Sequence, residues 1–171
     1  MDMAEKTLDE ARAKGIRLCT AESCTGGLIA ALLTEIPGSS AVLERGFVTY
    51  SNRAKHEMLG VPQAVLDTYG AVSPQTALEM AKGALAHADA HISVAVTGIA
   101  GPGGGTDEKP VGLVHFATGR APKPGVPPYI NSQERRFGGQ SRSRIRLLTV
   151  QHALMMVQRE IEVFGKKSAE V

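Results

Sequence analysis

Ser23 stands in the run AESCTGG, residues 21–27, where a short β-forming stretch gives way to two glycines and then to a helix-forming segment. A hydroxyl on such a strand-to-helix turn has two uses. As a cap, Ser23 or the nearby Thr25 would accept a hydrogen bond from the free N–H groups that open a helix. As a nucleophile, Ser23 would attack a carbonyl while neighbouring N–H groups hold the developing oxyanion. The flanking residues do not match G-x-S-x-G, so an α/β-hydrolase elbow is not indicated. A serine nucleophile needs a base. The histidines at 56, 87, 91, 115 and 152 show no motif that pairs one of them with Ser23. Lys55 is another candidate, because a lysine held against apolar walls can lose its proton near neutral pH; otherwise it is a solvated helix lysine. Tyr50, five residues before it, would be a hydrogen-bonding relay or a core aromatic with a wet hydroxyl.

Two further features could hold an anion. GIAGPGGG, residues 98–105, includes Gly98, Gly101, Gly103 and Gly104 and matches neither the nucleoside-triphosphate loop nor the dinucleotide fingerprint. Its backbone N–H groups would either cradle a phosphate after a strand or serve as a flexible connection. Five arginines lie between positions 135 and 146, and the four-residue spacing of Arg142 and Arg146 puts both on one helix face. They read equally as a phosphate clamp or as a solvated helix start. No H-E-x-x-H or paired cysteine–histidine pattern is present, so no metal site is expected.

Elements must bring these residues together. A helix is predicted over about 4–14, a buried strand over 16–21 and a helix over 26–36, closed by Pro37-Gly38. A strand over 46–50 and a polar helix over 52–59 follow, and Ser73-Pro74 opens a helix running to about residue 88. Strands are predicted over 91–97 and 113–118. A proline-rich loop over 120–128 leads to an exposed antiparallel strand over 129–137, and a long helix over about 142–163 ends the chain. Strands separated by helices, then a late hairpin, imply an α/β class: a single-domain three-layer α/β/α sandwich with a mixed β-sheet over residues 1–171.

With 43% hydrophobic residues, 21% charged residues and 171 positions, the chain is long enough to bury a core without disulfides or metal. A net charge of +2 argues against a nucleic-acid or membrane partner and favours a small molecule. Cys19 and Cys24 fit neither a disulfide framework nor C-x-x-C, and residues 1–15 do not read as a signal peptide. A cytoplasmic protein with reduced thiols is expected, with a symmetric homodimer as its natural assembly.

Four motifs, AESCTGG at 21–27, GFVTYSNRAK at 46–55, GAVS at 70–73 and TGIAGPGGGTDEKPVG at 97–112, together make the chain resemble the CinA C-terminal domain family over about residues 5–160. The resemblance implies hydrolysis of the carboxamide of nicotinamide mononucleotide to nicotinate mononucleotide and ammonia, without cofactor, in pyridine-nucleotide recycling toward NAD. It implies Ser23 as nucleophile and Lys55 as base, with Tyr50 beginning the second motif. It also implies oxyanion donors among Cys24, Thr25, Gly26 and Gly27, and a substrate pocket that includes Thr97, the glycines after it, Arg142 and Arg146. The family's closing G-D-R-x-x-[IV]-R run appears here as residues 139–146, with one extra residue and no aspartate. Larger family members carry a separate N-terminal domain, which is not expected in this chain. The competing expectation is a nucleotide-binding regulatory module linked to competence or DNA damage, with no catalysis.

Overall fold

Leu18–Glu22 (β1) is buried along its whole length, as a central parallel strand covered on both faces must be. The computed structural model describes residues 2–125 and 128–165. The other elements are α1 (Asp2–Ala13), α2 (Leu28–Thr34), β2 (Leu43–Val48), α3 (Asn52–Leu59), α4 (Gln63–Tyr69), α5 (Pro74–Ala86), β3 (Ile92–Gly98), β4 (Leu113–Arg120), β5 (Tyr129–Arg136) and α6 (Arg142–Phe164). The sheet order is β2-β1-β3-β4-β5. The first two pairings are parallel and the last two antiparallel, so the sheet is mixed.

Helices cover both faces. On one, Leu8, Ile29, Ile145 and Leu154 from α1, α2 and α6 pack with Val94, Val96 and Phe116. On the other, Leu59, Leu66 and Met80 from α3, α4 and α5 pack over the small sheet residues Cys19, Ala21, Ala95 and Ala117. Gly83 of α5 has no room for a Cβ, which would collide with the Leu59 carbonyl oxygen. That close approach seats α3, the helix carrying Lys55, firmly on α5.

The three-layer α/β/α architecture is the predicted one, with local differences. The predicted helix over 26–36 begins only at Leu28, because Gly26 and Gly27 take left-handed φ values of 60° and 96°. The strand predicted over 46–50 lies earlier, since Leu43 already pairs with Leu18, and its last pair is Val48 with Glu22. The Thr49 N–H still bonds the Glu22 carbonyl, and the chain then turns toward the helix cap at Ser51. The short helix α4 was hidden between Pro62 and Gly70, too brief to show a period. Strand β4 runs on to Arg120, two residues past its predicted end. Residues 126–127 of the predicted proline-rich loop lie outside the described residues.

From β1 the chain crosses to β2 on one side, then returns past β1 to β3 on the other. Right-handed crossovers in opposite directions place α2 on one face and α3 to α5 on the other. Their divergence opens a crevice at the C-terminal ends of β1 and β3, where open α/β sheets bind ligands.

Candidate active site

Ser23 is the first residue past β1, and its backbone N–H donates to the Val96 carbonyl of β3 at 3.0 Å. The sheet thus fixes where the nucleophile candidate starts. The turn then reverses through Gly26 and Gly27. Ser23 is 8% exposed and opens on a cavity of about 290 Å³, near the lower size of small-molecule pockets.

Lys55 meets it there. Ser51 caps α3 by accepting the Ala54 N–H at 3.0 Å, and one turn further on Lys55 points inward, 1% exposed. Its Nζ lies 3.0 Å from Ser23 Oγ and 2.9 Å from the Thr49 carbonyl oxygen. When the amine is neutral, its lone pair can face the Ser23 hydroxyl while one of its N–H groups keeps the Thr49 carbonyl. Burial pushes the Lys55 pKa down from 10.5 to about 8. The solvated-lysine alternative is therefore not what the fold produces. Cys24 also lines the cavity, but burial pushes its thiol up to about 12, so it stays protonated beside the serine.

Among the described residues no histidine lines this cavity. His56 and His87 bond the carbonyls of Val61 and Gly83, His91 accepts the Arg17 N–H, and His152 bonds Gln133. Lys55 is the amine that reaches Ser23.

The expected binding residues divide. Thr97, Gly98, Gly101, Gly103, Gly104 and Arg142 line the cavity with Ser23, Cys24, Tyr50 and Lys55. The Thr97 hydroxyl is already committed to the Ala71 carbonyl at 2.7 Å, so it braces the wall. Arg142, the first residue of α6, donates to the Gly101 carbonyl at 2.7 Å and to the Tyr50 hydroxyl at 3.0 Å. Tyr50 is 60% exposed and its hydroxyl partner is Arg142, so it is neither a core aromatic nor a relay to Ser23 or Lys55. It stands at the rim.

Arg146 and Thr25 lie behind the turn and do not line the cavity: Arg146 Nη2 donates to the Thr25 carbonyl at 2.8 Å, and Thr25 itself is fully buried. Gly26 and Gly27 likewise shape the turn without lining the cavity, and the Gly26 N–H is spent on the Ser23 carbonyl at 3.0 Å. Cys24 does line the cavity, and no backbone carbonyl among the described residues accepts its N–H.

Glu22 was missed from the sequence. Fully buried at the end of β1, it accepts the Thr25 hydroxyl at 2.7 Å and the N–H groups of Ile29 and Ala30, each at 2.9 Å. A carboxylate closing an otherwise uncharged strand, one residue before the candidate nucleophile, was the available signal. No group of three or more His, Cys, Asp or Glu residues suited to a metal occurs among the described residues, and none of the described helices is long and apolar enough to cross a membrane.

Fold and site together define a three-layer α/β/α protein with a buried serine–lysine contact in a switch-point crevice rimmed by glycines and an arginine. The chain belongs to the CinA C-terminal domain family, whose model matches residues 1–161. A nicotinamide-nucleotide amidohydrolase PncC of Enterobacter agglomerans is 49% identical over 166 residues, covering 92% of this chain and 98% of that one. The crystal structure of competence/damage inducible protein CihA from Agrobacterium tumefaciens superposes with a TM-score of 0.87 at 54% identity, covering 92% and 93% of the two chains. A protein of Acetivibrio thermocellus is 54% identical over 146 residues, which are 85% of this chain but 34% of that protein. The chain thus spans about a third of the length of several relatives and nearly all of another.

Proposed function

We propose that this protein is an amidohydrolase that converts nicotinamide mononucleotide to nicotinate mononucleotide and ammonia, with Ser23 as nucleophile and Lys55 as base. The observation that carries the reading is the buried Lys55 Nζ, 3.0 Å from Ser23 Oγ, in a cavity with no competing base. The full-length similarity to a named nicotinamide-nucleotide amidohydrolase supports the substrate.

An amide is a weak electrophile, so the nucleophile must be activated as it attacks. A pKa of about 8 leaves about a tenth of Lys55 neutral at pH 7. The neutral amine takes the Ser23 proton as the Oγ–C bond forms, and the Cys24 N–H at the cavity wall receives the oxyanion. The Lys55 ammonium then protonates the leaving nitrogen, the C–N bond breaks, and ammonia departs from a Ser23 ester. Water attacks that ester with its proton passing to Lys55. Collapse returns the proton to Ser23 Oγ and frees the carboxylate. Arg142, with its fixed guanidinium at the rim, takes the substrate phosphate and so positions the distant carboxamide.

The test is ammonia release from nicotinamide mononucleotide by the purified chain and by Ser23→Ala and Lys55→Met. Turnover by the wild type alone supports the assignment. Binding without turnover returns the molecule to a nucleotide-binding module, and retained turnover in Ser23→Ala rejects the nucleophile.

A further inference from the structure

The dyad candidate is assembled from two chain segments that do not touch each other through their own caps. α2 has no local side-chain cap: Gly27 precedes it, and the residues that would use such a cap are Ile29 and Ala30. Glu22 supplies both acceptors from the strand, seven and eight residues back, and adds the Thr25 hydroxyl. One side chain therefore fixes the turn that presents Ser23. Its main chain fixes the other partner. The Glu22 carbonyl accepts the Thr49 N–H at 2.9 Å, and the Thr49 carbonyl accepts from Lys55 Nζ at 2.9 Å.

We infer that Glu22 is a positioning residue for the reaction: its buried carboxylate clamps Thr25 and the start of α2, and so holds Ser23 Oγ in line with Lys55. Three hydrogen bonds stabilise the carboxylate in its buried place. Arg146 braces the same turn from outside by holding the Thr25 carbonyl. With the Ile29 and Ala30 N–H groups taken by Glu22, the oxyanion is left to the Cys24 N–H, whose direction the clamp also sets. Neither Glu22 nor Thr25 lines the cavity, so loosening them moves the reacting atoms while leaving substrate contacts in place.

This inference rests on the amidohydrolase reading, and its experiment separates the two. Glu22→Gln keeps the shape but turns an amide N–H₂ toward donors. Thr25→Val removes one clamp bond, and Thr25→Ser keeps it. In folded protein, with active sites counted by Ser23 labelling, kcat falls about 10–100-fold in Glu22→Gln and Thr25→Val while KM stays within about threefold. Thr25→Ser recovers most of kcat. A cap of purely structural importance would lower the melting temperature without changing kcat per labelled site, and that result overturns the inference. Should Glu22→Gln fail to fold, the Thr25 pair decides alone.

Labelling of Ser23 by phenylmethanesulfonyl fluoride, followed by intact mass, needs no nucleotide. If the wild type releases no ammonia but labels at Ser23, and Thr25→Val labels about tenfold more slowly, the clamp stands and only the substrate assignment falls. Equal labelling rates in Thr25→Val and wild type overturn the clamp.

Discussion

Two helix starts lie beside the cavity, and they are built differently. α2 begins with a buried carboxylate reaching over from β1, two left-handed glycines and a serine pinned to β3. α6 begins with an ordinary local cap, Ser141 accepting the Arg144 N–H at 3.3 Å, and with Arg142 exposed beside the 60% exposed Tyr50. The first holds groups whose chemistry depends on fractions of an ångström and on exclusion of water. The second places a charge at the cavity rim, where the proposed substrate phosphate would come and go. The proposed reaction puts chemistry on the buried side and recognition on the wet one, so on that reading the two halves should fail differently when altered.

The largest effects belong to the buried half. Ser23→Ala and Lys55→Met should each lower kcat by about 10³-fold or more, since each removes a group the reaction cannot replace. Their stabilities should diverge. Lys55 has a folded pKa of about 8 against 10.5 when free. Between those values the unfolded chain holds a proton that the folded chain has lost, so stability rises with pH through that window. Below it the cost of burial, about 3 kcal/mol, is fully present. Lys55→Met removes that cost but leaves the Thr49 carbonyl without its partner, so a net gain of about 1–3 kcal/mol at pH 7 is expected. Denaturant titrations of both proteins from pH 7 to 11 test this. Only the difference between the curves isolates Lys55, because the thiols of Cys19 and Cys24, pushed up to about 12, make stability fall above pH 9. A Lys55→Met protein less stable than the wild type at pH 7 would remove the case for a Lys55 whose charged form is penalised by burial.

As the proposed base, the same group should set the rate. kcat/KM for the wild type should climb tenfold per pH unit below a limb near pH 8 and level off above it, as Lys55 deprotonates in the free enzyme. A flat profile from pH 6 to 9 would take the base role from Lys55.

On the wet side, Arg142→Ala should raise KM for nicotinamide mononucleotide by about 10–100-fold, the worth of a charge-assisted contact, with kcat within about threefold. The phosphate-free nucleoside should not notice the change. Parallel losses on both substrates would make Arg142 a brace for Gly101 and Tyr50 rather than a phosphate ligand.

Much of the layered fold was legible because apolar runs, glycine stops and the Ser73-Pro74 start each report locally on one element. The position of Lys55 was legible only through the family motif. Nothing in NRAKHEML says that the lysine turns inward, since its burial depends on Gly83 letting α5 press against Leu59. Arg142 and Arg146 share a helix face, yet one reaches the cavity and the other sits behind the turn, because Gly101 of the loop after β3 and Thr25 of the turn before α2 lie at different positions along that face. Glu22 was passed over for a similar reason. Its partners Ile29 and Ala30 become neighbours only once the glycine turn has folded back.

The smallest effect should come from the loop whose role the sequence left open between cradle and connection. Gly101 has φ 74°, and an added Cβ would stand 2.5 Å from Val111 Cγ1. Its carbonyl also anchors Arg142. Gly101→Ala should therefore disturb both the loop and the guanidinium, with a KM rise approaching that of Arg142→Ala. Gly103 has neither constraint: no atom lies within 4 Å of a Cβ added there, although the residue lines the cavity. Gly103→Ala should leave stability within about 0.5 kcal/mol and KM within about threefold, as for a surface change away from any close contact. The comparison of the two variants is what reads the loop. Were Gly103→Ala to raise KM tenfold with stability intact, the added methyl would be standing where the ligand sits. Gly103 would then belong to an anion cradle, and the loop would share the phosphate with Arg142 instead of merely aiming it.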